Sequence, residues 1–541
     1  MADAIGRAGP WRGLALLVAA AAFGILIGWP LTRLAIEAAA AGTAPLVAAL
    51  RPDSLAAIGN SLWIAAVVTV LAVAGGLWLA FLTEHAVVPR RTILLIGILL
   101  PLLVPDFVSA LAWTRAFGPA GLLDRIAGIE IPGLYGPVGI VLVLATGAIP
   151  LAYLLIAAGM RSRAEPDLER AARISGADGL TALRTVSLPL LWPIIAAAGA
   201  LIFATTMSAF GTPAVLGRPA GFVTMTTRIY GDLAFSSNAA AFERVLGLSF
   251  LLVAVVVVAL VFGGRIGPRT GTRGTITGPA AQAQPARWLP LALAWAFVGL
   301  TVVLPLVALV LTALTRAVGL PPLPEHLTLA NFSRAVDSRT LPALLNSLVL
   351  AALAAMVCVT LGAAAAIAPI GRWRRRWSQV VTIGFAIPGS VFAVGVLLAF
   401  GRSLRDTLLI ILLAYVAKLW ALALQPIAGA MDRVPADLTH AARIHGADGR
   451  TSLRTVVLPI LAPTFAAAGL LVFVFALHEV TISILLYGPS SATLAVAILN
   501  LQQLGDPTVT TALAVMLTLL VLVSAAPLIA LRRSWLHNVP G

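Results

Sequence analysis

Apolar and polar positions along this chain fall into long blocks rather than the short alternations of a soluble fold. Runs of about 18 or more mostly apolar residues recur from end to end, each long enough to cross a hydrocarbon core of about 30 Å as a helix. Twelve are read, at 13–35, 60–83, 92–114, 137–160, 189–211, 245–263, 288–313, 346–370, 379–401, 407–429, 459–485 and 509–531. In lipid every backbone N–H and C=O must find a partner within the protein, so runs of this length are expected as helices. The pattern predicts an all-α membrane protein of about 12 transmembrane helices.

The polar interruptions organise these runs. Gly263–Arg287 is rich in Gly, Thr, Pro and Arg and carries no apolar periodicity, as a flexible connection would. It divides the chain into a first half (1–263), a linker (264–287) and a second half (288–541), with six runs on each side. An even number of crossings gives both halves the same orientation, a parallel repeat about an axis along the membrane normal. Asn60-Ser61-Leu62 and Asn346-Ser347-Leu348 open the second and eighth runs. There an amide and a hydroxyl are placed to cap the start of each span.

The strongest repeat is polar. Asp167–Pro193 and Asp437–Pro463 lie 270 positions apart and are identical at 19 of 27 positions. In each, a short helix is expected from Asp167 to Ile174 and from Asp437 to Ile444, with the Asp as N-cap. Ala171-Ala172 and Ala441-Ala442 leave room for another surface to approach closely. Gly176 and Gly446 can stop the helix with a positive φ, and Asp178-Gly179 and Asp448-Gly449 add a turn. In a second short helix Leu183, Val186 and Leu188, or Leu453, Val456 and Leu458, are spaced to bury one face. Pro189 and Pro459 then suit the first turn of the next span.

Charge changes the picture in one respect. The net charge of +15 comes with only 11% charged residues. With the N-terminus placed in the cytoplasm, most of the basic residues fall on the cytoplasmic side and the acidic ones divide more evenly. That is the positive-inside pattern rather than a nucleic-acid footprint. Clusters such as Arg372, Arg374, Arg375 and Arg376 also suit anionic lipid. Arg7 and Arg12 before the first run resemble a signal sequence, but cleavage would invert the charge balance, so that run reads as a retained span. The single Cys358 lies within a run and excludes an intrachain disulfide.

The pattern A-A-x3-G-x9-[IV]-x-L-P, present in both polar copies, resembles the EAA loop of ATP-binding-cassette importer permeases. The resemblance extends over nearly the whole chain, as two fused six-span permease domains of type I. It implies a bacterial inner-membrane protein with both termini cytoplasmic, whose two loops dock on two copies of a cytoplasmic ATPase. It also implies substrate delivery by a periplasmic binding protein. One departure is that Arg170 and His440 stand where the family has its leading Glu, with Glu169 and Thr439 just before them. ATP and Mg would belong to the partner. This chain lacks G-x-x-x-x-G-K-[ST], and its one lysine, Lys418, lies inside a run. The chain is therefore expected to have no catalytic site and no cofactor of its own.

Pro101–Trp113, Phe210–Tyr230 and His478–Ile498 resemble the fused permeases of ferric-iron importers. Permeases for thiamine, 2-aminoethylphosphonate and polyamines share much of this pattern. In that family these stretches line the translocation path, which makes Asp106, Ser208, His478 and Glu479 the candidate path residues. Ionisable residues inside spans are functional candidates by default. The alternative for Asp106 and His478-Glu479 is a buried pair or a contact for the binding protein. Lys418 can instead snorkel or pair within the bundle, and Arg218 and Arg228 read as surface charges of outer loops. No spacing suggests a stable metal cage. Two other classes fit the span count, a proton-coupled secondary transporter and a membrane scaffold, but neither accounts for two matching polar loops.

Overall fold

A computed structural model of the chain describes residues 10–163, 171–172, 174–176, 178, 181, 183–236, 238–266, 284–337, 340–367, 381–382 and 384–537. It is all-α apart from a two-residue parallel pairing of Ala86–Val87 with Gln284–Pro285. Among the described residues ten helices are long and apolar enough to cross a membrane. They are Gly13–Ala40, Pro52–His85, Pro137–Arg161, Arg184–Met207, Ala239–Ile266, Trp288–Leu314, Thr340–Ile367, Leu408–Met431, Gly449–Leu477 and Pro507–Pro527. Large apolar side chains such as Val70, Phe262 and Met356 point outward from them, as lipid-facing residues should.

Two of the twelve expected spans are broken. The run at 92–114 becomes Arg91–Leu102 and Asp106–Ala127, bent by 109°. Pro105, with ψ 139°, starts the second piece. The run at 379–401 is broken in the same way: residues 381–382 and 384–386 are helical, and a second helix, Gly389–Leu404, follows an extended proline, Pro388, with ψ 135°. Proline offers no N–H and pushes the residue before it out of the helical region. Residues 368–380 and 383 of that stretch lie outside the described residues. The count thus falls to ten spans, or eleven with the bent pair as one.

The Asn-Ser pairs do not open spans either. Asn60 and Ser61 lie inside Pro52–His85, whose start is set by Pro52 after an extended Arg51. Asn346 and Ser347 lie likewise inside Thr340–Ile367.

Four long helices pass through a π-turn, at Gly24–Gly28, Leu183–Ser187, Gly299–Val303 and Leu453–Val457. Each is followed two residues later by a proline: Pro30, Pro189, Pro305 and Pro459. A proline ring crowds the carbonyl four residues back. A wide turn moves that carbonyl aside, and Leu458 N accordingly donates to Leu453 O, five residues back. Pro189 and Pro459 therefore stand inside helices that begin earlier, in the polar loops, and continue unbroken into the spans.

The two halves exchange their first spans. Gly13–Ala40 packs against Thr340–Ile367, Gly389–Leu404 and Leu408–Met431 of the second half. Trp288–Leu314 packs against Arg91–Leu99 and Asp106–Phe117 of the first. Glycine permits both approaches. A Cβ on Gly97 would lie 2.5 Å from Val298 Cγ1, and one on Gly384 would lie 2.7 Å from Ile27 Cδ1. Small residues allow such packing where no hydrophobic force drives helices together.

Gly97→Leu and Gly384→Leu are each expected to destabilise the purified protein by overpacking, by about 1–3 kcal/mol. Gly59→Leu, where a Cβ meets nothing within 4 Å, is the control. Thermal melting in detergent checks this, with a lower midpoint for the first two variants alone.

Candidate functional site

The second polar loop is described throughout. Its first helix, Ala436–Ile444, is preceded by an extended Pro435. Asp437 therefore sits in the first turn and does not cap it, contrary to expectation; Asp167 lies outside the described residues. Gly446 takes φ 82° and Gly176 φ 90°. A Cβ at either would meet nothing within 4 Å. Glycine is therefore demanded by the backbone, which turns left-handed to end the helix, and not by a neighbour. Ala441 and Ala171 are exposed, and Ala442 and Ala172 are half-buried.

The aspartates after the glycines are helix caps. Asp448 Oδ1 accepts from Thr451 N at 2.7 Å, and Asp178 Oδ1 from Thr181 N at 2.8 Å. Hydrogen bonds from the threonine side chain and N–H hold both carboxyls below the ordinary aspartate range. Gly449 is the first residue of the capped turn, and Gly179 lies outside the described residues. The buried face that follows differs from the expected one. Ser452, Val457 and Leu461 are buried, while Leu453, Val456 and Leu458 are only partly so. In the first copy Ser187 and Leu191 are buried and Val186 and Leu188 half-buried. The π-turn adds one residue per turn and shifts the face by one position. Val457 and Leu461 join Ala430, Met431 and Val434 in a small core beneath the loop.

One pair of residues in these loops escaped the sequence reading. Ile174 is 87% exposed and Ile444 84%. Each is the last apolar residue before the helix-stopping glycine, and its position at the helix end leaves it nothing to pack on. The same isoleucine is exposed at the same place in both copies. In the departing positions, Thr439 is buried and His440 exposed, while Glu169 and Arg170 lie outside the described residues.

At the seam between the halves lies a polar group. Asp106 is exposed although Val104, Pro105, Phe107 and Val108 around it are buried, so it borders a gap in the packing. It stands close enough to Glu479 of the second half for their charges to interact, and Glu479 is likewise coupled to Lys418. Glu479 Oε1 accepts from Ile482 N at 3.0 Å, and its backbone carbonyl accepts from Tyr415 Oη at 3.0 Å. Lys418 Nζ donates to Phe385 O at 2.8 Å and to Ile387 O, the carbonyls freed just before Pro388. That lysine is a tether inside the bundle and does not snorkel. Ser208 and His478 occupy equivalent ends of Leu188–Met207 and Leu458–Leu477. Ser208 Oγ donates to Ala204 O, and the His478 ring packs 5.1 Å from that of Phe475. The structure thus places Asp106 and Glu479 within reach of each other's charge and leaves Ser208 and His478 on their own helices.

The Asn-Ser pairs do cap helices, but not their own. Asn60 Nδ2 donates to Val223 O at 2.9 Å, and Ser61 Oγ accepts from Met225 N at 2.9 Å. Asn346 Nδ2 donates to Ser490 O and Ala492 O, and Ser347 Oγ accepts from Leu494 N at 2.8 Å. Each pair therefore fixes the start of a short helix, Met225–Phe235 or Leu494–Leu504, beyond the break at Ser208 or His478. Arg228, in the first of these, is not a loose surface charge. It bridges Asp53 at 2.7 Å and Asp232 at 3.3 Å.

Comparison with known proteins adds the following. A family described as "Binding-protein-dependent transport system inner membrane component" matches twice, over residues 72–272 and 358–534. The chain is 26% identical over 507 residues to the "Probable ABC transporter permease protein y4fN" of Sinorhizobium fredii, covering 90% of this chain and 88% of that one. It is 24% identical over 453 residues to the "Putative ferric transport system permease protein FbpB 1" of Haemophilus influenzae, with 79% and 70% covered. It is 30% identical over 190 residues to the "Putative 2-aminoethylphosphonate transport system permease protein PhnV" of Salmonella paratyphi A, with 34% and 72% covered.

Ser61→Ala and Ser347→Ala are each expected to cost about 1 kcal/mol through loss of a cap. Amide hydrogen exchange checks this, with faster exchange confined to the first turn of Met225–Phe235 or of Leu494–Leu504.

Proposed function

The chain belongs to the family of binding-protein-dependent transport system inner membrane components, and from that premise we propose that it is the permease of an ATP-driven importer. A periplasmic binding protein delivers substrate to one side, and the chain passes it to the cytoplasm. The two polar loops face the cytoplasm, as do both termini, and each loop docks on one of two copies of an ABC ATPase that carries the ATP and Mg. One observation carries this reading. The loops share the same left-handed glycine, the same aspartate cap and the same exposed isoleucine. The loop helix continues through a π-turn into a span in each half. Movement of a docked partner would therefore turn a span directly, and the two halves would rock between states open to opposite sides.

The substrate we propose is ferric iron. Asp106 and Glu479 set two carboxylates against the single cation Lys418 near the seam, which leaves the group acidic on balance. Such a pair favours a passing cation over an anion, which supports iron ahead of 2-aminoethylphosphonate. Thiamine and polyamines, also cationic, are the alternatives. A permease that receives its cargo from a binding protein needs only weak, transient contacts along the way.

Two tests apply. A bulky residue at a left-handed glycine costs about 1–3 kcal/mol locally, so the double variant Gly176→Leu/Gly446→Leu should still insert in the membrane but lose uptake and co-purification with the ATPase. Normal uptake in that variant would sink the docking assignment. Radiolabelled ferric iron should accumulate in cells expressing the complete transporter. Asp106→Asn and Glu479→Gln should slow it severalfold without changing ATPase association. Undiminished uptake in both single variants would remove the acidic pair from the path.

A further inference from the structure

At the far end of Leu188–Met207 from the polar loops, a cavity of about 250 Å³ opens beside the helix Met225–Phe235. Phe222, Tyr230 and Phe235 form its apolar walls, and Gln503 closes it from the second half. Edge-on contacts with Phe210 at 5.2 Å and Phe235 at 5.5 Å hold the Tyr230 ring.

The charges around the cavity balance except at one residue. Arg228 pairs with Asp53 and Asp232, and Arg244 pairs with Asp232 at 2.9 Å, two cations against two anions. Arg218 is exposed on the rim, its guanidinium 5.2 Å above the Phe235 ring centre, and it has no ion pair among the described residues. Stacking of this kind leaves the N–H edge of the guanidinium free for a planar acceptor. Among the described residues the second half has no such arrangement. When its short helix is aligned on the matching serine caps, Ala497 and Leu501 replace Arg228 and Asp232, while Leu499 and Leu504 replace Tyr230 and Phe235.

We propose that this cavity binds a small organic carboxylate with an apolar body, its carboxylate on Arg218 and its body against Phe222 and Tyr230. One uncompensated positive charge matches one carboxylate. The aromatic walls favour a body that is itself flat and apolar, as in small-ligand sites generally. Binding at this cavity does not rest on the import reading.

The test uses the full chain in lipid nanodiscs and isothermal titration with benzoate, with benzamide as the uncharged isostere and empty nanodiscs as the blank. Saturable benzoate binding is expected, with benzamide weaker by about tenfold or more, as for loss of a charged hydrogen bond. Arg218→Gln should weaken benzoate by a similar factor, and Arg218→Lys by less. Gly231, where a Cβ meets nothing within 4 Å, also lines the cavity. Gly231→Leu should fill the space and abolish binding with Arg218 intact, and unchanged melting of each variant shows that the fold survives. Absence of saturable benzoate binding, equal binding of benzamide, or binding unaltered by Arg218→Gln or Gly231→Leu overturns the proposal.

Discussion

The structure depends on one constraint: wherever a span is interrupted, the freed backbone groups must find partners inside the protein. An unpaired amide or carbonyl in lipid costs several kcal/mol, on the order of the whole stability of a small domain. At the Pro388 break, Lys418 satisfies the carbonyls of Phe385 and Ile387. At the Pro105 break, the Thr212 hydroxyl donates to Asp106 O. Past the break at His478, Tyr415 and Ser483 donate to Glu479 O. Past both this break and the one at Ser208, Asn and Ser side chains from a neighbouring span receive the new helix. Irregular backbone survives at these points because other helices supply the missing hydrogen bonds, and these are the points that border the seam.

The duplication preserved this scaffold and let the chemistry diverge. The Asn-Ser caps, the π-turn with its following proline, and the left-handed glycine of the loop recur in both halves. The polar residues at the breaks do not. Asp106 follows Pro105 where Gly389 follows Pro388, and Glu479 stands opposite Ala209 at the 270-residue offset. The network of Arg228, Arg244 and Asp232 belongs to the first half alone among the described residues. Two similar frames therefore carry polar residues that differ from side to side.

The exchanged first spans tie the two halves together. Val298 against Gly97 and Ile27 against Gly384 place one half's side chain in a groove that only glycine leaves open.

Much of this was legible in the chain itself. Span length, the basic bias, the duplication and the glycine stops follow from hydrophobic runs and local backbone preference, which act within a few residues. The capping potential of Asn60-Ser61 was legible too, but not the helix it caps, because Val223 and Met225 are more than 160 positions away. The prolines were visible, yet whether one bends a helix by 109° or is absorbed by a π-turn depended on what packs beside it. Ile174 and Ile444 were legible as helix ends; only the fold shows that no neighbour covers them there. Asp106 and Glu479 could be named but not joined, since they come within reach of each other's charge only across the two halves. Sequence alone fixed what each segment can form, and tertiary packing decided which polar groups meet, because in lipid each must find its partner wherever the fold brings one within reach.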